Sequence, residues 1–147
     1  MEDGIARSSL QDSAPDRFVS LRRQLGVTSF GINQMLLTPG QQMRVHRHHR
    51  QEEVYLVLEG TLTVYIEGEP EELRAGELMR VAPDVRRQLV NRGSQTVSML
   101  ALGGAGEHQG RDAEAFASWD EQTGRTPQEV PLPPDLAPGE LAPGELA

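Results

Sequence analysis

Three of the four histidines in this 147-residue chain fall within four consecutive positions, at His46, His48 and His49. Two carboxylates, Glu52 and Glu53, follow them directly. On a β-strand, His46 and His48 point to the same face, because the side-chain direction repeats every two residues. Two imidazoles on one strand, together with a carboxylate from the next strand, are suitable ligands for a divalent transition metal. The same set holds iron in many non-haem oxygenases.

The composition excludes several kinds of catalytic chemistry. The chain has no cysteine, so it contains no disulfide, no thiolate ligand and no thiol nucleophile. It has no lysine either, since all 14 basic residues are arginine. This excludes a Schiff-base lysine and the lysine of a phosphate-binding loop. The histidines and carboxylates are therefore the residues best suited to chemistry here.

Charge and hydropathy restrict the partners. The net charge of −8 argues against nucleic acid, because phosphates repel a net anion, and no segment resembles a helix-turn-helix. No apolar run is long enough to span a membrane, and the first residues do not resemble a secretion signal. We therefore expect a cytoplasmic protein with neither a nucleic-acid nor a membrane partner.

The elements that must position these residues are strands. From Phe30 to Leu102 the chain alternates short apolar runs, several rich in Val, Ile, Thr and Tyr, with turn residues such as Pro39-Gly40 and Glu59-Gly60. Such runs suit half-buried strands and are too short for ordinary helices. Many short strands within one domain predict a β-sandwich or barrel, and the fold class is therefore all-β.

The segment before these strands is read in two parts. Residues 1–16 are polar and aperiodic, so we expect a flexible N-terminus. A short helix is then predicted, with Asp16 as its N-cap and Phe18, Leu21 and Leu25 at helical spacing. The main domain accordingly begins at residue 17.

The segment after the strands is also read in two parts. Asp112 is predicted to cap a second short helix, which puts Phe116 and Trp119 on one face. Residues 120–147 hold six of the ten prolines and six acids against one base. This composition predicts a disordered, dispensable tail and limits the main domain to residues 17–119.

The spacing around the two histidines matches a known family motif. Five residues separate Gly40 from His46, one separates His46 from His48, four separate His48 from Glu53, and six separate Glu53 from Gly60. At every fixed position this resembles the first motif of the cupin superfamily. A looser second motif of that family resembles the segment Gly76–Asn91.

The resemblance implies a small single-domain bacterial cupin. The expected fold is a double-stranded β-helix, also called a small jelly-roll barrel, with a ligand pocket inside and short flanking helices. Small cupins are often homodimers, and the almost continuously apolar strand Val54–Leu58 independently favours a two-fold partner that covers its outer face.

One position departs from the family pattern. Cupins usually supply a third histidine four residues before the asparagine of the second motif, and here that position is Arg87. A guanidinium about 5 Å from a divalent ion would cost on the order of 6 kcal/mol at an effective dielectric of about 20. Arg87 then either pairs with Glu53 in place of a metal, or clamps an anionic substrate bound to a metal on His46, His48 and Glu53.

Three further residues complete the predicted site. Arg44 and Tyr55 share the inward direction of the ligands and are predicted, with Arg87, to bind substrate. His49 is expected to be exposed. No catalytic residue is assigned.

Two functions remain open at this point. In the first, Fe, Mn, Ni, Zn or Cu on His46, His48 and Glu53 serves an oxygenase, isomerase or decarboxylase acting on a small anion. In the second, the protein is a metal-free ligand-binding or sensor module in which arginines hold the anion. A structural dimer is a third, less specific alternative.

Overall fold

The structure is a computed structural model that describes residues 4–104 and 112–142. Expectations for residues 1–3, for the chain between the two described ranges and for residues 143–147 lie outside the described residues.

The described residues form ten β-strands, one short helix and two 3-10 turns. The strands are β1 (Phe18–Ser20), β2 (Gly31–Leu37), β3 (Val45–His48), β4 (Glu52–Glu59), β5 (Thr61–Ile66), β6 (Glu69–Arg74), β7 (Leu78–Val81), β8 (Arg87–Val90), β9 (Val97–Gly104) and β10 (Ala113–Phe116). The helix α1 spans Leu21–Leu25, and the 3-10 turns span Pro127–Glu129 and Pro138–Glu140.

The strands form two five-stranded antiparallel sheets. The first sheet has the order β1-β2-β9-β4-β7 and the second has the order β10-β3-β8-β5-β6. Consecutive strands therefore often lie in opposite sheets, and β3 and β4, which carry the histidines and Glu53, face each other across the interior. This is the jelly-roll arrangement that the short apolar runs predicted, and the all-β fold class is confirmed.

The core lies between the two sheets. Alternate residues of each strand point inward, as the two-residue period requires. The buried cluster contains the following side chains: Leu37, Tyr55, Val57, Leu62, Val64, Leu73, Val81, Leu89, Val97, Met99 and Ala101. Each fully buried aliphatic side chain stabilises the fold by roughly 1.5–3 kcal/mol. The site residues lie beside this cluster and are held by the same strands.

The first motif begins and ends at glycines that the turns require. Gly40 and Gly60 have φ angles of +88° and +79°, in the region that residues with a Cβ rarely adopt. A Cβ on Gly60 would also lie 2.7 Å from the carbonyl oxygen of Thr96. The amide of Gly40 donates to the carbonyl of Asn91 over 2.8 Å, which joins the two motif segments. Gly40 and Gly60 therefore have a structural role, because they allow the turns at the two ends of the motif.

The predicted N-terminal helix is present but begins later than expected. Phe18 lies in β1, and Ser20 rather than Asp16 is the N-cap, its hydroxyl accepting from the amide of Arg23 over 3.3 Å. The helix ends at Gly26, which adopts the left-handed conformation with φ of +74°. Before it, Gln11 exchanges two hydrogen bonds with buried Gln34, so the N-terminal segment lies on the outer face of the first sheet.

The helix predicted from Asp112 to Trp119 is wrong. Ala113–Phe116 forms β10, which pairs antiparallel with β3 and places Ala113 opposite His48. The tetrapeptide Ala-Glu-Ala-Phe has good intrinsic helix propensity, but pairing with the free edge of β3 outweighs it. Asp112 therefore caps no helix.

Residues of the proposed tail contact the barrel. Arg125 forms an antiparallel bridge with Ala115, and Val130 is only 2% exposed. The amide of Leu136 donates to the carbonyl of Gly40 over 2.8 Å. The composition of this segment predicts that it is disordered and dispensable. These contacts instead suggest that it is ordered and stabilises the domain, which a truncation can test. No helix in the described ranges is both long enough and apolar enough to cross a membrane.

Candidate metal centre

The two motif histidines and Glu53 come from facing strands. His46 and His48 are two residues apart on β3 of the second sheet, and Glu53 is the second residue of β4 in the first sheet. The short turn between β3 and β4 brings the chain across the interior, so the three side chains converge at one end of the sandwich. Each is largely buried, with 12–18% of its side chain exposed.

One carboxylate oxygen is the centre of this cluster. Glu53 Oε1 lies 3.6 Å from His46 Nε2 and 3.2 Å from His48 Nε2. The two imidazole rings are nearly perpendicular, with centroids 5.4 Å apart. One ligand atom from each of the three residues lies within 4.8 Å of the others. Two nitrogens and one oxygen at this separation suit a divalent transition metal.

The hydrogen bonding of the histidines also fits a metal. His46 Nδ1 lies 3.2 Å from the carbonyl oxygen of Arg44. Since a carbonyl can only accept, this contact puts a hydrogen on Nδ1, so Nε2, which faces Glu53, is the nitrogen that could bind a metal once it carries no hydrogen. Both ring nitrogens of His48 are buried and make no hydrogen bond of good geometry among the described residues, although Nε2 lies 3.2 Å from Glu53 Oε1. An unsatisfied buried nitrogen of this kind is what a metal would satisfy.

Arg87 lies behind the cluster. It is directly opposite His46 in the β3–β8 ladder and is completely buried. Its guanidinium donates to the carbonyls of Val85 over 2.9 Å and Ala82 over 3.4 Å, and its Nη2 is 3.7 Å from Glu53 Oε1. Of the two roles considered for Arg87, this geometry supports pairing with Glu53. Arg87 is not among the described residues that line the cavity.

Tyr55 and Glu53 form the tightest contact of the site. The Tyr55 hydroxyl donates to Glu53 Oε1 over 2.7 Å, and Tyr55 is 1% exposed. Burial, followed by the charge of Glu53, raises the pKa of Tyr55 well above its usual value, so the hydroxyl stays a donor. Tyr55 thus holds the carboxylate in place as well as lining the cavity.

Glu53 is a carboxylate in this environment. Burial acts to raise the pKa of Glu53, but the neighbouring imidazoles of His46 and His48 outweigh this effect and hold that pKa well below its usual value. A residue that must be deprotonated to bind a metal is therefore already ionised.

A cavity of about 290 Å³ opens beside the cluster. Its walls are mainly apolar, and its polar or charged side chains include Arg44, His46, His48 and Glu53. The full set of lining residues is Phe18, Asn33, Met35, Met43, Arg44, His46, His48, Glu53, Tyr55, Leu89, Ala101, Ala113, Pro127 and Gln128. An apolar pocket with a few convergent polar groups is the usual form of a small-molecule site.

Arg44 supplies a cation in the cavity wall. Its Nε donates to the carbonyl of Val130, which ties the wall to the C-terminal segment. Burial and the nearby charge of Arg17 lower the pKa of Arg44, but a guanidinium stays protonated at neutral pH. His49, in contrast, is half exposed and lies 3.3 Å from Glu114, away from the metal cluster.

Sequence reasoning missed several residues of the site. Phe18, Pro127 and Gln128 line the cavity although they lie far along the chain from the motifs, and no local pattern indicates this. Asp112 was assigned to a helix cap, whereas its carboxylate lies 3.7 Å from His48 Nδ1. No motif in the sequence marks Asp112, which follows a glycine-rich segment and lies between two other acids, Glu107 and Glu114.

The fold and site together define a cupin. A family model described as Cupin_2, cupin domain, matches residues 33–103, and the chain belongs to the cupin superfamily. The resemblance inferred from the two motifs is thereby confirmed.

Solved cupin structures resemble this chain over most of its length. A cupin protein from Bacteroides fragilis is 29% identical, with a TM-score of 0.61 over 72% of this chain and 89% of its own. A cupin-superfamily sugar phosphate isomerase from Silicibacter pomeroyi is 23% identical, with a TM-score of 0.61 over 88% and 90% of the two chains, and shows the fold alone.

Two curated proteins share part of the sequence. The dimethylsulfoniopropionate lyase DddW of Ruegeria pomeroyi is 41% identical over 66 residues, which are 45% of this chain and 38% of that protein. The polyketide synthase CurC of Streptomyces cyaneus is 32% identical over 76 residues, 52% of this chain and 49% of that protein. The matched region thus spans half or less of each relative.

Proposed function

We propose that this protein is a metal-dependent cupin that binds a divalent transition metal through His46, His48 and Glu53 and acts on a small anionic substrate in the adjoining cavity. The observation that carries this proposal is the convergence of one ligand atom each from His46, His48 and Glu53 within 4.8 Å at the cavity wall. When bound, the metal supplies a Lewis acid that polarises a substrate oxygen.

The remaining residues of the site bind and orient the substrate. Arg44 offers a fixed positive charge to a carboxylate or phosphate. The apolar walls, including Met35, Met43 and Leu89, exclude water and so strengthen these charge interactions. Tyr55 fixes the orientation of Glu53 through its hydroxyl. Arg87 acts from behind, as a counter-charge to Glu53.

An anionic substrate is also consistent with the relatives. The name of one contains a propionate and that of another a sugar phosphate, and both name enzymes. We propose that the reaction is an isomerisation or a decarboxylation, with oxygenation as the alternative if the metal is iron. We place the protein in the cytoplasm, with no nucleic-acid partner.

Elemental analysis of purified, tag-free protein tests the metal. We expect near-stoichiometric Fe, Mn, Ni, Zn or Cu in the wild type and its loss in His46→Ala and Glu53→Gln. His49→Ala is the matched control, since His49 lies on the same segment but outside the cluster, and it should keep the metal. Titration with small carboxylates and phosphates, compared between wild type and Arg44→Gln, then tests the anion site.

The Arg87–Glu53 pair favours a second candidate, a metal-free binding module. A guanidinium 3.7 Å from Glu53 already neutralises the buried carboxylate that a metal would otherwise neutralise. If the wild type holds no metal even after loading, but still binds small anions in a manner that depends on Arg44, the metal-dependent proposal is wrong and this second function replaces it.

A further inference from the structure

Asp112 is a buried carboxylate outside the region that the family model matches. It is 7% exposed and lies immediately before β10, nine residues beyond the end of the matched segment 33–103. Pairing of β10 with β3 carries it to the metal-ligand end of the sandwich, because Ala113 stands opposite His48. Neither the motifs nor the relatives assign it a role.

The Asp112 carboxylate caps the turn that joins the two ligand strands. Its Oδ1 and Oδ2 accept from the amide of Arg50 over 3.1 and 3.0 Å, and Oδ2 also accepts from the amide of Gln51 over 2.9 Å. The amide of His49 donates to the Asp112 carbonyl over 3.2 Å. One residue thus satisfies three successive backbone amides between His48 and Glu53.

The same carboxylate faces the ring of His48. Its Oδ2 lies 3.7 Å from His48 Nδ1, a buried nitrogen with no hydrogen-bond partner among the described residues. On the other side of the ring, Nε2 points towards Glu53 Oε1 at 3.2 Å.

We propose that Asp112 is a positioning residue for the metal ligand His48: its carboxylate fixes the turn that follows His48, and its negative charge, 3.7 Å from Nδ1, favours the hydrogen on that nitrogen, which leaves Nε2 to bind the metal. This inference rests on the proposed metal site. A metal-bound histidine usually donates its other N–H to a carboxylate or carbonyl, and such partners affect metal affinity about 10- to 100-fold. For His46 that partner is the Arg44 carbonyl at 3.2 Å; for His48 we assign the role to Asp112 Oδ2, which at 3.7 Å makes no hydrogen bond here and acts through its charge.

The experiment compares Asp112→Asn with Glu114→Gln. Asparagine keeps an oxygen that can accept from Arg50 and Gln51, but it removes the negative charge that faces His48. Glu114 is the matched control, since it lies two residues along the same segment and pairs with Arg47 and the exposed His49. The measurements are Ni²⁺ affinity by titration calorimetry, the absorption spectrum of the Co²⁺-loaded protein, and the melting temperature without metal.

We expect Asp112→Asn to lower Ni²⁺ affinity about 10- to 100-fold and to change the Co²⁺ ligand-field bands. We expect Glu114→Gln to leave both as in the wild type. Equal affinities and spectra for wild type and Asp112→Asn would overturn the positioning role while leaving the metal site intact. Absence of metal binding by the wild type would overturn the proposed function, and the positioning role with it.

A measurement on the wild type alone guards against a variant that fails to fold. Long-range ¹H–¹⁵N spectra of the Zn²⁺-loaded protein report which nitrogen of each imidazole carries the hydrogen. We expect His48 to be protonated at Nδ1 and bound to metal through Nε2. Coordination through Nδ1 would contradict the proposal, because that nitrogen would then carry no hydrogen for the charge of Asp112 to favour.

Discussion

At the scale of single residues, the site is organised around one oxygen atom. Glu53 Oε1 is approached by two imidazoles, the Tyr55 hydroxyl and the Arg87 guanidinium, all within 3.7 Å. The Tyr55 hydroxyl and the Arg87 guanidinium compete with a metal for this oxygen, whereas the two imidazoles would bind the same metal. We therefore expect substitutions at position 87 to change metal affinity and a substitution at position 55 to change stability.

Arg87→His should tighten metal binding and weaken the fold. The change removes a positive charge beside Glu53 and adds an imidazole opposite His46. We expect Ni²⁺ or Fe²⁺ affinity to rise at least tenfold, about 1.4 kcal/mol, in titration calorimetry. The carbonyls of Val85 and Ala82 lose their donor, so the metal-free variant should be less stable by about 1–3 kcal/mol.

Arg87→Met is the control for this experiment, because it removes the charge without adding a ligand. Its affinity should fall between those of the wild type and Arg87→His. If all three proteins bind the metal equally, the charge at position 87 has no influence on the site.

Tyr55→Phe should destabilise the protein through a single hydrogen bond. Loss of the hydroxyl removes the 2.7 Å bond to Glu53 and leaves the ring packing unchanged. A bond to a charged group contributes about 1.5–3 kcal/mol, and we expect that loss in urea denaturation without metal. Tyr65→Phe changes the only other tyrosine, on β5, and should have a smaller effect. Equal effects would show that the bond to Glu53 is unimportant for stability.

At the scale of elements, the cavity depends on segments that the motifs do not include. The C-terminal segment supplies Pro127 and Gln128 to the wall, buries Val130 and accepts a hydrogen bond from Arg44. Its amino-acid composition resembles that of a disordered chain, yet in the structure it closes one side of the candidate site.

Ending the chain after Arg125 should therefore destabilise it. The truncation exposes the surface under Val130, whose burial is worth roughly 1.5–3 kcal/mol, and leaves Arg44 Nε without its carbonyl. We expect the melting temperature to fall by more than about five degrees, since each kcal/mol corresponds to about 2–4 degrees in a chain of this size. A chain that ends at Ala142 retains Val130 and its carbonyl and is the control. Melting within about two degrees of the wild type would restore the sequence-based expectation of a dispensable tail.

The sequence predicted the motif strands better than it predicted the segments that pack against them. Runs such as Val54–Leu58 have a single interpretation, because their length, β-branched residues and flanking glycines agree. Ala113–Phe116 has two interpretations, because its local propensity favours a helix whereas pairing with the edge of β3 favours a strand. Only the folded sheet decides between helix and strand. The ligands were likewise found from spacing, whereas Asp112 and Gln128 reach the site through tertiary contacts that no local pattern records.

At the scale of the whole molecule, the outer face of the first sheet is apolar and partly exposed along β4 and β9. On β4 and β9, side chains that alternate with the core residues face outward, and Val54 pairs with Leu102 and Leu56 with Leu100. Leu78, beside Leu56, is 63% exposed. An apolar patch of this kind on a sheet usually marks an interface.

We expect this face to be covered by a second copy of the chain. Sedimentation at micromolar concentration should show a dimer, as the strand pattern also predicts. Leu56→Glu combined with Leu100→Glu should give a monomer, whereas Glu72→Arg on the exposed part of β6 should not. A wild-type protein that sediments only as a monomer would contradict this prediction.

The environment of Arg87 also has a consequence for the evolution of the metal site. Its guanidinium is held by two backbone carbonyls and by a single side chain, Glu53, which a metal could neutralise in its place. The arginine codons CGC and CGT become histidine codons by one base change. A lineage in which one of these two codons encodes residue 87 can therefore move between a charge-paired and a four-ligand site in a single mutational step, and position 87 is where natural variants with new metal preferences should be sought.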